Sequence, residues 1–336
     1  MKRILAMLLA LMSLCLMGCQ TVSQGETNDT TQNTQSPEEE KVMRILNISN
    51  SHGADSVKLL PMVLQTEMPD QEFFVAELYA SYALTEHVEA AKEDAKDYVY
   101  YTNGDGTWDR VEGVSISMAL QDQHWDVIMF NESSRHLGLE KYMSKGLIDW
   151  FRSYILDNLD YEPTLLYNMT WSNPTDERFH DPNSDRQKPP ETFRKSYTVN
   201  YGFNYITHYN MLVEMTKKYL VGHEGFDKII YNAKPVQYAQ VICGVPQWDD
   251  AQKMDLYRDY THLSDFARLM VAYNWYAQMF DVKELTAVNI DVIPKDQRAT
   301  YRQQNLGDLE ITQEHKQIIL ESVNETLKDP FTIPEK

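Results

Sequence analysis

Five short, nearly continuous apolar runs recur along the chain, at Val42–Ile48, Phe73–Leu78, Val127–Phe130, Thr164–Asn168 and Lys228–Tyr231. Between and after them lie longer stretches with apolar residues three and four positions apart. These predict helices over Ala54–Gln65, Leu84–Lys96, Val114–Gln121, Lys141–Asn158, Phe203–Tyr219, Leu263–Phe280 and Gln313–Leu327. Uninterrupted apolar strands alternating with helices predict a parallel sheet covered on both faces. Leu263–Phe280 is apolar almost all round, so it is expected to be buried against that sheet.

Two stretches break the alternation. Tyr98–Arg110 places Asn103-Gly104-Asp105-Gly106 between two β-forming runs and reads as a hairpin. Ser172–Thr198 is polar, carries Pro174, Pro182, Pro189 and Pro190, and reads as a long irregular loop of the kind that serves function. No internal repeat is present.

The N-terminus is of another character. Lys2 and Arg3 precede an apolar core, Ile4 to Leu16, and the segment closes on Leu16-Met17-Gly18-Cys19, which looks like a bacterial lipobox. Residues 1–18 then read as a lipoprotein signal peptide and Cys19 as the lipidated first residue of the mature chain. Lipidation anchors a protein to a membrane without making it an integral helix. Residues 19–40 are almost all polar and cannot bury enough apolar surface to offset their ordering entropy, so they read as a tether. An extracytoplasmic cell-envelope lipoprotein is the expectation, with residues 41–336 as its single domain.

Charge narrows the partners. The net charge is −19, and more negative once Lys2 and Arg3 are removed, so the chain repels phosphate backbones and nucleic acid is not an expected partner. With Cys15 in the signal and Cys19 lipidated, Cys243 is left alone and no disulfide is expected. The sequence holds no CxxC, HExxH, Walker or dinucleotide-binding glycine pattern, and no metal or cofactor is expected. His52, His136 and His180 lack ligand spacing. Asp181–Asp185 echoes a calcium loop, but Arg186 stands where its glycine belongs.

The candidate chemistry sits in two distant segments. Ser51 follows the first predicted strand and precedes a helix, which places a hydroxyl at the carboxyl edge of the sheet. Asp259-Tyr260-Thr261-His262 sets a carboxylate three residues before an imidazole. Brought together, Ser51, His262 and Asp259 supply nucleophile, general base and orienting acid. Taken singly, Ser51 reads first as a helix cap and Asp259 reads as a capping acid; together with the other segments they read as nucleophile and orienting acid.

These segments, with others in the same order, resemble the SGNH (GDSL-like) hydrolase superfamily, and within it a bacterial secreted family of unassigned function. The matching positions are Ser49-Asn50-Ser51-His52-Gly53, Trp125-Asp126 through Asn131-Glu132, Asn168-Met169-Thr170-Trp171 and Asp259-Tyr260-Thr261-His262-Leu263-Ser264. The resemblance implies a three-layer α/β/α sandwich with a five-stranded parallel sheet in flavodoxin-like order. It also implies a serine esterase, with surface carbohydrate acetyl esters as its substrate class. Asn131 and the backbone at Ser81 become the expected oxyanion donors, and Glu132 and Trp171 the expected substrate contacts. The chain departs from the family where Ser49 and Ala80-Ser81-Tyr82 replace glycines and His52 replaces a phenylalanine. Those departures leave an inactive surface binding protein on the same scaffold as the competing reading.

Overall fold

The computed structural model describes residues 42–176, 191–299 and 305–334. The expected signal peptide, Cys19, the tether, His180 and Asp181–Asp185 lie outside these residues. The first strand, β1 (Met43–Ser49), leads into two helices, α1 (Ser51–Val57) and α2 (Leu60–Glu67), then β2 (Phe73–Tyr79) and α3 (Leu84–Glu93). The hairpin β3 (Tyr98–Asn103) and β4 (Asp109–Val114) follows, then α4 (Ile116–Asp122) and β5 (Val127–Phe130). Next come α5 (Glu140–Met143), α6 (Leu147–Asp157), β6 (Thr164–Met169), α7 (Glu191–Tyr201), α8 (Tyr205–Tyr219) and β7 (Lys228–Tyr231). The remainder comprises α9 (Ala233–Val241), α10 (Asp265–Met279), the short pair β8 (Val292–Ile293) and β9 (Leu309–Glu310), and α11 (Gln313–Lys328).

The main sheet has seven strands in the order β4-β3-β2-β1-β5-β6-β7. The expected five parallel strands are all there, and counted alone they run 2-1-3-4-5. The expectation of a five-stranded sheet is corrected by the hairpin. It adds β3 antiparallel to the open edge of β2 and β4 antiparallel to β3. Pairing that edge satisfies backbone groups that would otherwise form an aggregation template.

Alternate residues of each strand feed opposite cores. Leu46, Ile48, Ala76 and Leu78 pack under α3, α4 and α6, while Ile45, Val75, Val127 and Met129 pack under α1, α2 and α10. Helices therefore cover both faces, which is why the strands read as continuous apolar runs. Helix α10 is buried along nearly its whole length, as its apolar surround predicts.

Three predicted elements divide differently. The single helix expected over Ala54–Gln65 is two, α1 and α2, with Pro61 in the first turn of the second, where its missing N–H costs nothing. The helix expected over Lys141–Asn158 breaks at Gly146, whose φ of 66° is the left-handed conformation glycine adopts readily. The end of the expected Ser172–Thr198 loop is helical, as α7.

Helix α1 sits hard against the strand ends. A Cβ at Gly53 would lie 2.3 Å from Ser49 Cβ and 2.3 Å from Asn131 Oδ1. Gly53→Ala is therefore expected to lower unfolding free energy by about 1–3 kcal/mol through overpacking. Denaturant unfolding of wild type and variant measures it. Equal midpoints would show that α1 is not held at this distance.

Candidate active site

The turn after β1 is built by Asn50. Its side-chain oxygen Oδ1 accepts the backbone N–H of His52 at 3.1 Å and caps α1, and its side-chain Nδ2 donates to the Tyr82 carbonyl at 3.0 Å. Ser51 thereby becomes the first residue of the helix rather than its cap. Its backbone N–H has no acceptor within the helix and carries part of the positive end of the helix dipole.

The second segment is a tight loop closed by the Tyr257–Leu263 bridge, just before Ser264 caps α10. Within it the Asp259 carboxylate accepts the backbone N–H groups of Thr261 at 3.0 Å and His262 at 2.9 Å. It also accepts His262 Nδ1 at 2.8 Å. Burial pushes the Asp259 carboxyl up, but His262, its hydrogen bonds and Arg258 outweigh that and hold it at about 2. Asp259 is thus ionised at neutral pH and fixes the imidazole with Nδ1 as donor, leaving Nε2 as the acceptor.

A buried seam joins the two segments. Asp55, one helical turn after Ser51, accepts hydrogen bonds from Arg258 Nη1 at 2.9 Å and the Leu263 backbone N–H at 2.9 Å, and forms an ion pair with Arg268, whose Nε lies 3.1 Å away. The arginines hold its carboxyl below the usual range against the opposing effect of burial. Beside it, His52 Nε2 lies 2.9 Å from Thr261 Oγ1, which donates to Asn173 Oδ1 at 2.7 Å. A hydroxyl that donates its only hydrogen must accept from the ring, so His52 is the neutral Nε2–H tautomer and its Nδ1 faces Thr170 Oγ1 at 3.3 Å. The His52 ring stacks on Trp171 with centroids 4.6 Å apart, and the indole donates to the Thr261 carbonyl at 3.0 Å. Histidine at position 52 is therefore a cross-link between the serine turn and the histidine loop, a role phenylalanine cannot fill.

Ser51, Ser81, Asn50, Asn173 and His262 share the wall of one cavity of about 630 Å³. No hydrogen bond joins Ser51 to His262 among the described residues. Three expected contacts stand behind the wall instead. Both amide hydrogens of Asn131 are used, on Asn50 Oδ1 and the Glu132 carbonyl, each at 2.9 Å, so it holds Asn50 in place. Glu132 is buried and accepts the backbone N–H groups of Leu84 and Ser133 at 3.0 and 2.7 Å, tying the turn after β2 to the end of β5. Trp171 is buried under His52. Asn173, Asp55 and Arg258 were not anticipated from the sequence. Asn173 is buried on the cavity wall with its amide nitrogen unpartnered.

The lost glycines cost no backbone strain. Among the described residues the non-glycine positions at positive φ are Asp94, Phe203, Gln252 and Asp281, so neither Ser49 nor Ala80–Tyr82 requires a glycine conformation.

The fold is shared with a DUF4886 family protein from Bacteroides uniformis ATCC 8492. Its crystal structure matches 88% of this chain and 98% of that chain at a TM-score of 0.65 and 20% identity. A candidate SGNH hydrolase from Slackia heliotrinireducens covers 71% of this chain and 100% of its own at a TM-score of 0.42 and 16% identity, too distant to bear on the site. No protein-family model and no curated protein matches the chain.

His52, His87 and His208 are each held at about 3, against 6.5 for a free imidazole, chiefly by burial; His262 adds to this at His52, and His52 adds at His208. Between those values the unfolded chain binds protons that the native protein refuses, so stability falls as pH drops through this window. Glu77, raised to about 7 by burial, has the opposite sign, but it is one group against three. The melting temperature is expected to decline from about pH 7 to about pH 5. Calorimetric scans across that interval measure it, and a flat or rising value would contradict the buried neutral histidines.

Proposed function

We propose that the protein is a serine esterase with Ser51 as nucleophile, His262 as general base and Asp259 as the acid that orients it. The observation carrying this reading is that His262, held by Asp259 from behind, lines the same cavity as Ser51. That cavity opens beyond the carboxyl ends of the parallel strands, where α/β proteins bind ligands. In the cycle, Ser51 Oγ attacks the ester carbonyl carbon as its proton passes to His262 Nε2. The tetrahedral adduct collapses, and the leaving alcohol takes that proton. Water then attacks the acyl-serine as its proton passes to Nε2, and on collapse of this second adduct Nε2 returns the proton to Ser51 Oγ, releasing the acid and restoring both groups. The backbone N–H groups at Ser51 and Ser81 are the proposed oxyanion donors. Asn131 acts at one remove, through Asn50.

The cavity wall carries tyrosines, serines and amides, a mixture suited to stacking on a sugar ring and bonding its hydroxyls. Carbohydrate esters are therefore the proposed substrates. Cys19 and the signal-like segment before it support a lipid-anchored protein working outside the cytoplasm.

Ser51→Ala is expected to cut kcat/KM for 4-nitrophenyl acetate about 10³-fold or more, and Asp259→Asn by a similar factor, with circular dichroism unchanged. Steady-state kinetics decide it. Undiminished turnover in Ser51→Ala would remove that serine from the reaction.

A further inference from the structure

Acidic residues outnumber basic ones in this chain by 50 to 31, yet no carboxylate side chain lines the main cavity among the described residues. Arg135 and Lys141 do, together with His136 and His262. The carboxylates nearest in the bonding network are each turned to other work. Asp259 serves His262, Glu132 serves two backbone N–H groups and lies 3.7 Å from His136 Nδ1, Asp97 accepts the Tyr82 hydroxyl at 2.9 Å, and Glu86 takes the Ala83 N–H at 2.7 Å and one nitrogen of Arg135 at 2.6 Å. The rest of the Arg135 guanidinium has no hydrogen-bond partner among the described residues, and Lys141 Nζ rests over the Tyr142 ring, 4.9 Å from its centroid. His136 stacks on the same tyrosine with centroids 3.4 Å apart, so this aromatic pair stands beside Lys141.

From this arrangement we infer that the cavity takes an anion, and that the substrate is an ester bearing a carboxylate. A cleft lined by one sign of charge concentrates the opposite sign, and low-dielectric walls strengthen the effect. A guanidinium presents paired donors that match a carboxylate's two oxygens, and an ammonium adds a point charge beside it. The surrounding acidic surface repels anions elsewhere, so the cavity is where a negatively charged ligand gains most. This deepens the esterase reading and rests on it for the word ester, while the anion site stands on the charges alone.

Matched probes test it, with 4-hydroxybenzoate against 4-hydroxybenzamide for binding and their acetyl esters for turnover. Calorimetry on the full chain is expected to give the carboxylate about tenfold higher affinity, as charge-assisted pairing implies. Raised salt narrows the gap, and the Arg135→Gln/Lys141→Gln double variant, folded by its melting temperature, closes it. The acetyl esters should show the same ratio in kcat/KM. Equal affinities, no binding of either probe, or a preference that survives the double variant overturns the anion site. Carboxylate preference in binding without hydrolysis of either ester overturns the esterase reading and keeps the anion site. Hydrolysis of both esters at equal kcat/KM does the reverse.

Discussion

One carboxylate, Asp55, holds the chemistry of this molecule together. It is buried, and within hydrogen-bonding or ion-pair reach it faces Arg258, Arg268 and the Leu263 backbone, groups some two hundred residues away in sequence. Burying such a group is costly, and the attraction of its partners offsets that cost only when every one is in place. The seam is therefore selective. It admits a single placement of the Asp259–His262 loop against the helix that begins with Ser51. A buried ion pair of this kind need not add net stability, but losing one partner leaves an uncompensated buried charge and is costly.

A second, uncharged network fixes the same helix from the other side. Ser56 Oγ donates to the His52 carbonyl and accepts from Asn168, which accepts from Asn232, which accepts from Asn274, each link at 2.9 Å. The chain crosses from α1 through the ends of β6 and β7 to α10. In a low-dielectric interior each of these bonds is electrostatically stronger than in water, although the Asn274 side-chain carbonyl oxygen at the end of the series has no partner. Together with the His52–Thr261–Asn173 links, they make the carboxyl edge of the sheet stiff beneath a cavity whose outer wall is built from α7 and the segment around Arg135. Rigid support below and charged, aromatic surface above is the division a positioned catalytic group needs.

Much of this was legible in the chain because it is local. The apolar runs became strands because both faces of the sheet are covered, and the Asn103–Gly106 turn made its hairpin. Asp259 and His262 bond across the three-residue spacing that suggested them. What escaped was set by distant geometry. Nothing around Asp55 announces a partner at Arg258, since an acidic residue on a short helix usually faces water. Asn131 and Glu132 sit where strand-end groups are expected to meet substrate, yet the turns at Asn50 and Leu84 claim their hydrogen bonds first. Trp171 was placed near the cleft but not beneath His52, because stacking partners leave no mark in spacing. The break at Gly146 was readable as a glycine; that the chain uses it at positive φ was not.

Under the proposed mechanism, Ser51 and His262, which share one cavity wall, act as nucleophile and base. A fluorophosphonate reacts with a hydroxyl only where a base has activated it, so labelling the intact protein and locating the adduct by peptide mass spectrometry is the most direct measurement. A stoichiometric adduct on Ser51 is expected. An adduct on any other serine, or none at all, would contradict that mechanism.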